Sequence, residues 1–337
     1  MESHSQGFIE LLSAEQKPRA HVWYQGTADA VRQNREYLEE CAADYFLILS
    51  GDQLYQIDFE ALAAHAEKTG ADLTIASVLV SSDDAKNMGI LKVDNAGNII
   101  DFFEKPQTYS SQDPFKSLSH SRGSDPLFFG SMGIYLFKRK ALFDLLDEDL
   151  REDFGKHLIP TLIKKGNSAA FIYSGYWKDI GTVASFYHAN IDLTKEHPPL
   201  HLASKKFPLY TVTSGLPPPK IHRTMITSSL ICEGADVRAE AISHSVIGPR
   251  AKIGKGTMID SSYIFGDESF RPEDHRMSIG ENSTIKQALI DENVRIGSGV
   301  SLINRNKLKT FDSDNIYIRD GIIIVNRGAI IPDHFIL

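Results

Sequence analysis

Several common protein classes are excluded by what this sequence lacks. It has only two cysteines, Cys41 and Cys232, in 337 residues, too few for a disulfide framework or a cysteine-built zinc cluster. Both read as small core residues. No apolar run approaches the ~20 residues needed to cross a bilayer, and the longest candidates, Phe46–Leu49 and Ile322–Val325, are strand-sized. The start, Met1-Glu-Ser-His-Ser-Gln-Gly7, has no basic region ahead of an apolar one. No secretory signal is expected there, and the expected location is the cytoplasm. Positive charge is in deficit, with 36 basic against 44 acidic residues and a net charge of −8. A general nucleic-acid binder needs a basic face, so that class is excluded, whereas a small phosphorylated ligand held by one or two local cations is compatible. Neither Gly-x-x-x-x-Gly-Lys-Ser/Thr nor Gly-x-Gly-x-x-Gly occurs, and there is no Gly-x-Ser-x-Gly elbow and no Cys/His metal spacing.

What is present is ordinary globular composition, 42% apolar and 24% charged, at a length that suggests two domains of about 150 residues each. The chain changes character near residue 200. Before it, apolar runs alternate with helical patterns, which means α/β architecture. Asp44–Asp52 is a continuous apolar run closing on small and acidic residues, the pattern of a strand buried on both faces of a parallel sheet. Leu73–Val80 and Ser131–Lys138 are further strands, and Glu60–Thr69 is a helix stopped by Gly70. Thr27 is expected to cap a helix running to about Cys41, with Asp29 in its first turn, and Thr182 one running to about Lys195. Residues 196–222 hold Gly215-Leu-Pro-Pro-Pro-Lys220 and form a stiff linker. The domains read as 1–195, the linker 196–222, and 223–337.

In the last segment Ile247, Ile253 and Ile259 stand six apart with Phe265 continuing the series, and Ser245, Ala251 and Thr257 stand two before them. After a polar loop at 266–277, Ile290, Ile296 and Leu302 resume the step, preceded by Ala288, Val294 and Val300. Ile279 and Ile285 lie one residue out of register. A six-residue period of inward aliphatics with glycine corners is the signature of a parallel β-helix; an antiparallel all-β domain with glycine turns is the alternative.

Among residues that could do chemistry, Asp52 ends the first buried strand, where an acid faces the ligand crevice of an α/β sheet and can hold magnesium; equally it could cap the following turn. Asp179, in Tyr176-Trp-Lys-Asp-Ile-Gly-Thr182, is a second acid ahead of a helix. Convergence of the two would make a metal site for phosphoryl or nucleotidyl transfer, although Asp179 could simply be a favourable charge near a helix N-terminus. Phe103-Glu104-Lys105-Pro106 places a phosphate-binding cation beside an acid. Gly26, in Tyr24-Gln-Gly-Thr-Ala-Asp29, lets a ligand approach the backbone, with a helix N-terminus facing it; an ordinary glycine turn is the alternative.

In their order these segments resemble the glucose-1-phosphate adenylyltransferases, or ADP-glucose pyrophosphorylases. The matching stretches are Trp23–Asn34, Leu47–Tyr55, Gly89–Asp94, Phe103–Pro106, Ser131–Tyr135, Asp153-Phe-Gly155, Tyr176–Thr182, Leu216–Ile221, His244–Gly248 and Tyr317–Gly321. The resemblance implies a Rossmann-like nucleotidyltransferase α/β domain with a mostly parallel sheet, followed by a left-handed parallel β-helix. It implies that ATP and α-D-glucose 1-phosphate give ADP-glucose and diphosphate, in glycogen or starch synthesis, by an allosterically controlled tetramer. By the same resemblance Asp52 and Asp179 hold Mg2+, with Asp52 the residue most important for rate. Lys105 grips the sugar phosphate with Glu104 on the sugar, Tyr24, Gly89 and Ser131 contact glucose 1-phosphate, and Gly26 and Thr27 line the nucleotide.

One departure from the pattern stands out. The family's glycine-rich loop of the type Gly-Gly-x-x-Gly-Thr-Arg has no counterpart before Trp23, and Met1–His21 contains one glycine, Gly7. The N-terminal part of the domain is therefore expected to be missing from this sequence. Three alternatives follow: a catalytically deficient regulatory subunit of a hetero-oligomer, an interaction protein using only the β-helix, or a sugar-phosphate nucleotidyltransferase of another specificity. Retention of Asp52, Lys105 and Asp179 favours an enzyme.

Overall fold

A computed structural model describes residues 9–12, 23–106, 120–122, 125–211, 215–267 and 277–337. The expected glycine-poor lead before Trp23 and the expected polar loop at 266–277 lie largely outside them. Ahead of residue 200 the strands are β1 (Tyr45–Leu49), β2 (Gln53–Tyr55), β3 (Leu73–Val80), β4 (Gly89–Val93), β5 (Ile99–Glu104), β6 (His120–Arg122), β7 (Asp125–Lys138), β8 (Ser168–Tyr173) and β9 (Trp177–Asp179). The helices are α1 (Thr27–Gln33), α2 (Arg35–Glu40), α3 (Phe59–Thr69), α4 (Ser82–Ala85), α5 (Arg139–Glu148), α6 (Ile159–Lys165) and α7 (Val183–Asp192). Two compact units result: Met1–Gly51 with Ile57–Gly175, and Asp52–Gln56 with Tyr176–Leu337. The division by contacts falls at 175/176, and the short piece Asp52–Gln56 goes with the C-terminal unit because β2 pairs with β9.

The first unit is built on a sheet of order β5-β4-β7-β3-β8, with β1 and β6 also paired to β7. Its parallel character is less than expected. Among the described strands of this sheet only β3 and β8 pair in parallel, while β1, β3, β4 and β6 all meet β7 antiparallel. The sheet is therefore mixed. The cause is β7, a 14-residue strand long enough to pair with β1 along its C-terminal half and β4 along its N-terminal half. The continuous apolarity of β1 likewise does not mean burial on both faces. Phe46 and Ile48 pack against the core, whereas Leu47 and Leu49 are 38% and 44% exposed. The core on the other side joins Leu73 and Ile75 of β3, Phe137 of β7, Leu142 and Leu145 of α5, and Phe154.

α3 forms as its sequence dictates: the Asp58 side chain accepts from the Ala61 N–H, and Gly70 ends the helix in the left-handed region at φ 63°. α1 does not. The expected helix to Cys41 is broken at Asn34 into α1 and α2, and Thr27 is a helical residue rather than the cap.

The second unit is a three-sided parallel β-helix. Strands such as Asp236–Val237, Lys252–Ile253, Ser278–Ile279, Arg295–Ile296 and Ile330–Ile331 stack in parallel register down one side. Ile242, Ile259, Ile285 and Leu302 align on the second side, and Ile247, Ile264, Ile290 and Val325 on the third. The six-residue series is correct up to Ile259. The next inward residue is Ile264, fully buried, and Phe265 points elsewhere. A corner one residue shorter explains why Ile279 and Ile285, which belong to the stack, fall out of linear register. That corner is turned by His244, Ser261 and Gln287 at φ 47°, 47° and 52°, each one residue beyond the aligned Ser243, Asp260 and Lys286. The third side is extended by an antiparallel hairpin, Thr310–Asp312 and Ile316–Arg319.

The small residues two places before the aliphatics are buried, and several carry hydroxyls that join one coil to the next. The Ser262 N–H donates to Ser245 Oγ at 3.0 Å, and the Ala288 N–H to Ser262 Oγ at 3.2 Å. A parallel ladder runs from Thr257 through Ser283 to the Val300 N–H. Replacing a donor's partner inside such a core leaves a polar group without water or protein to bond. Ser262→Ala, which orphans the buried Ala288 N–H, is expected to destabilise the unit by about 1–3 kcal/mol. Denaturant unfolding should show a lower midpoint at unchanged slope.

Candidate active site

Two groups of candidate residues are assembled, one in each unit. In the C-terminal unit β2 and β9 form an antiparallel ribbon with Gln53 opposite Asp179. Asp52 is thus the residue just before one strand, and Asp179 the last residue of the other. The Ile180 N–H donates to the Asp52 carbonyl at 2.9 Å, and the Gly181 N–H donates to Asp179 Oδ1 at 2.8 Å. The two carboxylates converge on Gly181: a Cβ there would lie 2.9 Å from Asp52 Oδ2 and 3.1 Å from Asp179 Oδ1. Sequence spacing permitted this convergence without requiring it. Both acids are exposed.

Two hard oxygen donors at one point, with no nitrogen or sulfur among them, suit magnesium. Among the described residues no group of three or more His, Cys, Asp and Glu could form a complete protein cage.

In the N-terminal unit the candidates gather around Glu104, the last residue of β5. It is paired with Gly89 across the β4–β5 ladder. A Cβ on Gly89 would lie 2.4 Å from the Phe102 ring and 3.0 Å from Glu104 Oε2, and one on Gly155 would also lie 3.0 Å from Glu104 Oε2. Two glycines therefore bracket the carboxylate: Gly89 has no room for a side chain against the Phe102 ring, and a side chain at Gly155 would press on the carboxylate itself. Burial holds the Glu104 carboxyl above its usual range; Lys105 opposes the shift, Asp153 adds to it, and Lys156 opposes it. Lys105 turns at φ 46°, with its N–H donating to the Met88 carbonyl at 3.1 Å. Ser131 of β7 is 7% exposed and shares a hydrogen bond with Tyr135, whose phenol burial pushes up to about 12. Tyr135 also feels the charges of Glu104 and Asp153.

The remaining candidates are placed differently. Tyr24 Oη accepts from Asn34 Nδ2 at 2.8 Å. Gly26 stands where a Cβ would be 2.4 Å from the Glu152 carbonyl oxygen, and that oxygen accepts from the N–H groups of Ala28 and Asp29 at 2.8 and 3.2 Å. The first turn of α1, expected to face a ligand, donates to Glu152 instead. Thr27 Oγ1 accepts from the Phe154 N–H at 3.2 Å rather than capping its own helix. Gly26 and Thr27 thus tie α1 to the segment that carries Asp153 and Gly155.

Sequence reasoning assigned no site role to Tyr135, Asp153, Gly155, Lys156 or Gly181. Asp153-Phe-Gly155 and Ile180-Gly-Thr182 stood in the segments that carry the family resemblance. Their contacts with Glu104 and with the acid pair are tertiary and left no mark on spacing.

The class defined by this fold and these residues is shown by comparison with known families. Residues 2–196 match the model described as Nucleotidyl transferase, and the chain belongs to that family. Residues 215–336 match the model described as GLGC left-handed parallel beta-helix domain. The combination makes this a sugar-phosphate nucleotidyltransferase of ADP-glucose pyrophosphorylase-like kind. Among the described residues no helix is long and apolar enough to cross a membrane.

The Glu104 environment has a consequence for stability. Its folded-state pKa is raised above the unfolded value of about 4.3, so the charged form is disfavoured in the folded protein. Its contribution to stability is present below that pH and is lost as pH rises through the folded value. Glu104→Gln cannot ionise. Its melting temperature relative to the parent should therefore rise between pH 4 and pH 7; a difference flat with pH removes the burial effect.

Proposed function

We propose that the chain is a glucose-1-phosphate adenylyltransferase, converting ATP and α-D-glucose 1-phosphate to ADP-glucose and diphosphate. The observation that carries the proposal is the convergence of Asp52 and Asp179 on Gly181, an oxygen pair of the kind nucleotidyl transfer requires. In the reaction a phosphate oxygen of glucose 1-phosphate forms a bond to the α-phosphorus of ATP. The bond from that phosphorus to the α,β-bridging oxygen breaks, and its electron pair leaves with diphosphate. Bound magnesium would supply positive charge that offsets repulsion between the two anions.

The residues divide this work. Asp52 and Asp179 would hold the ion, and Lys105 would add a fixed positive charge for the sugar phosphate. Glu104, bracketed by Gly89 and Gly155, is an acceptor for sugar hydroxyls. The Ser131–Tyr135 pair offers neutral hydroxyls beside it, and a tyrosine titrating near 12 remains a donor at neutral pH. Gly26 and Thr27, assigned to the nucleotide by resemblance, act at least through the 152–154 segment they bind. The same reading places the protein in the cytoplasm, as a homo- or hetero-tetramer in glycogen or starch synthesis.

Release of diphosphate from ATP and glucose 1-phosphate by the purified chain tests the proposal, with UTP and GTP in parallel. Preference for ATP is expected, and Asp52→Asn should reduce turnover at least ~10²-fold, the scale of losing a preorganised charge-stabilising group. Faster turnover with UTP or GTP would assign another specificity. Release seen only on adding a catalytically active subunit of the family would assign a regulatory role.

A further inference from the structure

The acid pair belongs to the compact unit formed with the β-helix, and the ribbon that carries it is short. β2 and β9 have three residues each, and an isolated two-stranded ribbon is marginal at best in water. Something else must hold Asp52 and Asp179 in place. Three residues beyond Asp179, Thr182 begins α7 with a reciprocal cap: its side chain accepts from the Ser185 N–H while Ser185 Oγ accepts from the Thr182 N–H. The ribbon is therefore continuous with a well-started helix. At the far end of α7, Asp192 Oδ2 lies 3.8 Å from Lys178 Nζ of β9.

α7 is in turn seated on the third side of the β-helix. Tyr187 is 3% exposed, and its Oη donates to the Ser261 carbonyl at 2.6 Å. The Phe186 ring stacks on Phe265 at 5.8 Å and 15°, and meets Tyr263 at 5.9 Å. Leu289 and Ile322 complete the apolar seat. This is what Phe265 does in place of facing inward. Ser261, whose carbonyl receives the phenol, is one of the left-handed corner residues, so the contact fixes α7 to a rigid turn of the stack.

We propose that Tyr187 and Phe186 are positioning residues for the Asp52–Asp179 pair, so that the β-helix sets the geometry of the metal-binding carboxylates through α7. The inference rests on the magnesium role proposed above for those acids. The chain of contacts runs from Ser261 through Tyr187 and the Thr182 cap to Gly181, where the carboxylates converge. A small shift of α7 would move Asp179 relative to Asp52 without touching either side chain.

The test uses the full chain with Tyr187→Phe, which removes only the hydroxyl, and Phe186→Ala, which removes the stacked ring. Ile296→Val, in the first side of the β-helix, supplies a core defect away from α7. Two quantities are read: hydrogen exchange in peptides spanning 50–56 and 176–182, and Mn2+ binding followed by electron paramagnetic resonance as the stand-in for magnesium. Both α7 variants are expected to speed ribbon exchange about tenfold while amides of the β-helix core keep their protection. They should also weaken Mn2+ binding about tenfold, the scale seen when support behind a metal ligand is lost. Ile296→Val should change neither. Unchanged ribbon exchange in both α7 variants, or an equal change in Ile296→Val, overturns the proposal. Absence of Asp52-dependent Mn2+ binding in the parent chain would instead remove the metal reading, while the exchange data still decide whether α7 holds the ribbon.

Discussion

The close approach of Asp52 and Asp179 at Gly181 is the arrangement on which the candidate site of the C-terminal unit depends. Two carboxylates face Gly181 closely enough that a Cβ would press on both, 2.9 Å from Asp52 Oδ2 and 3.1 Å from Asp179 Oδ1. Like charges brought together raise each other's energy, so convergence of Asp52 and Asp179 must be held by the backbone. The Asp52 carbonyl takes the Ile180 N–H, Asp179 Oδ1 takes the Gly181 N–H, and Gln53 pairs with Asp179. Both acids remain exposed, so water screens their repulsion. The ribbon, the cap at Thr182 and the seat of α7 on the β-helix are successive layers of support for one short-range arrangement.

The N-terminal unit solves a related problem with the same device. Glu104 is partly buried, and a buried carboxylate is costly unless opposite charge or hydrogen-bond donors lie near it. Gly89 and Gly155 give it room, Lys105 and Lys156 oppose its desolvation, and Asp153 works against them. Gly26 serves a third close approach, to the Glu152 carbonyl that receives the start of α1. In each case glycine allows one group to come near another. The corners of the β-helix show the opposite economy: His244, Ser261 and Gln287 adopt left-handed backbone with side chains in place. Stacking of equivalent corners in successive coils supplies the support that an isolated turn would lack.

Order in the β-helix depends on polar as well as apolar stacking. The aliphatic columns supply the burial, but the hydroxyls of Ser245, Thr257, Ser262 and Ser283 set the vertical register by accepting N–H groups from the coil above. A register slip would leave those donors unpaired in an apolar interior. The Phe265 side chain, displaced outward by the short corner, becomes part of the seat for α7.

The sequence alone determined the elements whose cause is local. The span of β3, the stop at Gly70, the cap at Thr182 and the inward aliphatics through Ile259 follow from periodicity and from backbone preferences of single residues. It also determined the two-part architecture, because a six-residue repeat cannot sit in an α/β sheet. Tertiary structure decided the rest. The apolar run of β1 looked buried on both faces, but sheet direction and exposure depend on which strand lies alongside, and β7 is more than seventy residues away in the chain. Thr27 had the chemistry of a cap, yet a carbonyl and an N–H from residues 152–154 reached that helix start first. Convergence of Asp52 with Asp179, and of Glu104 with Asp153 and Gly155, was invisible for the same reason. Each depends on distances between segments remote in sequence, and residue spacing carries no record of them.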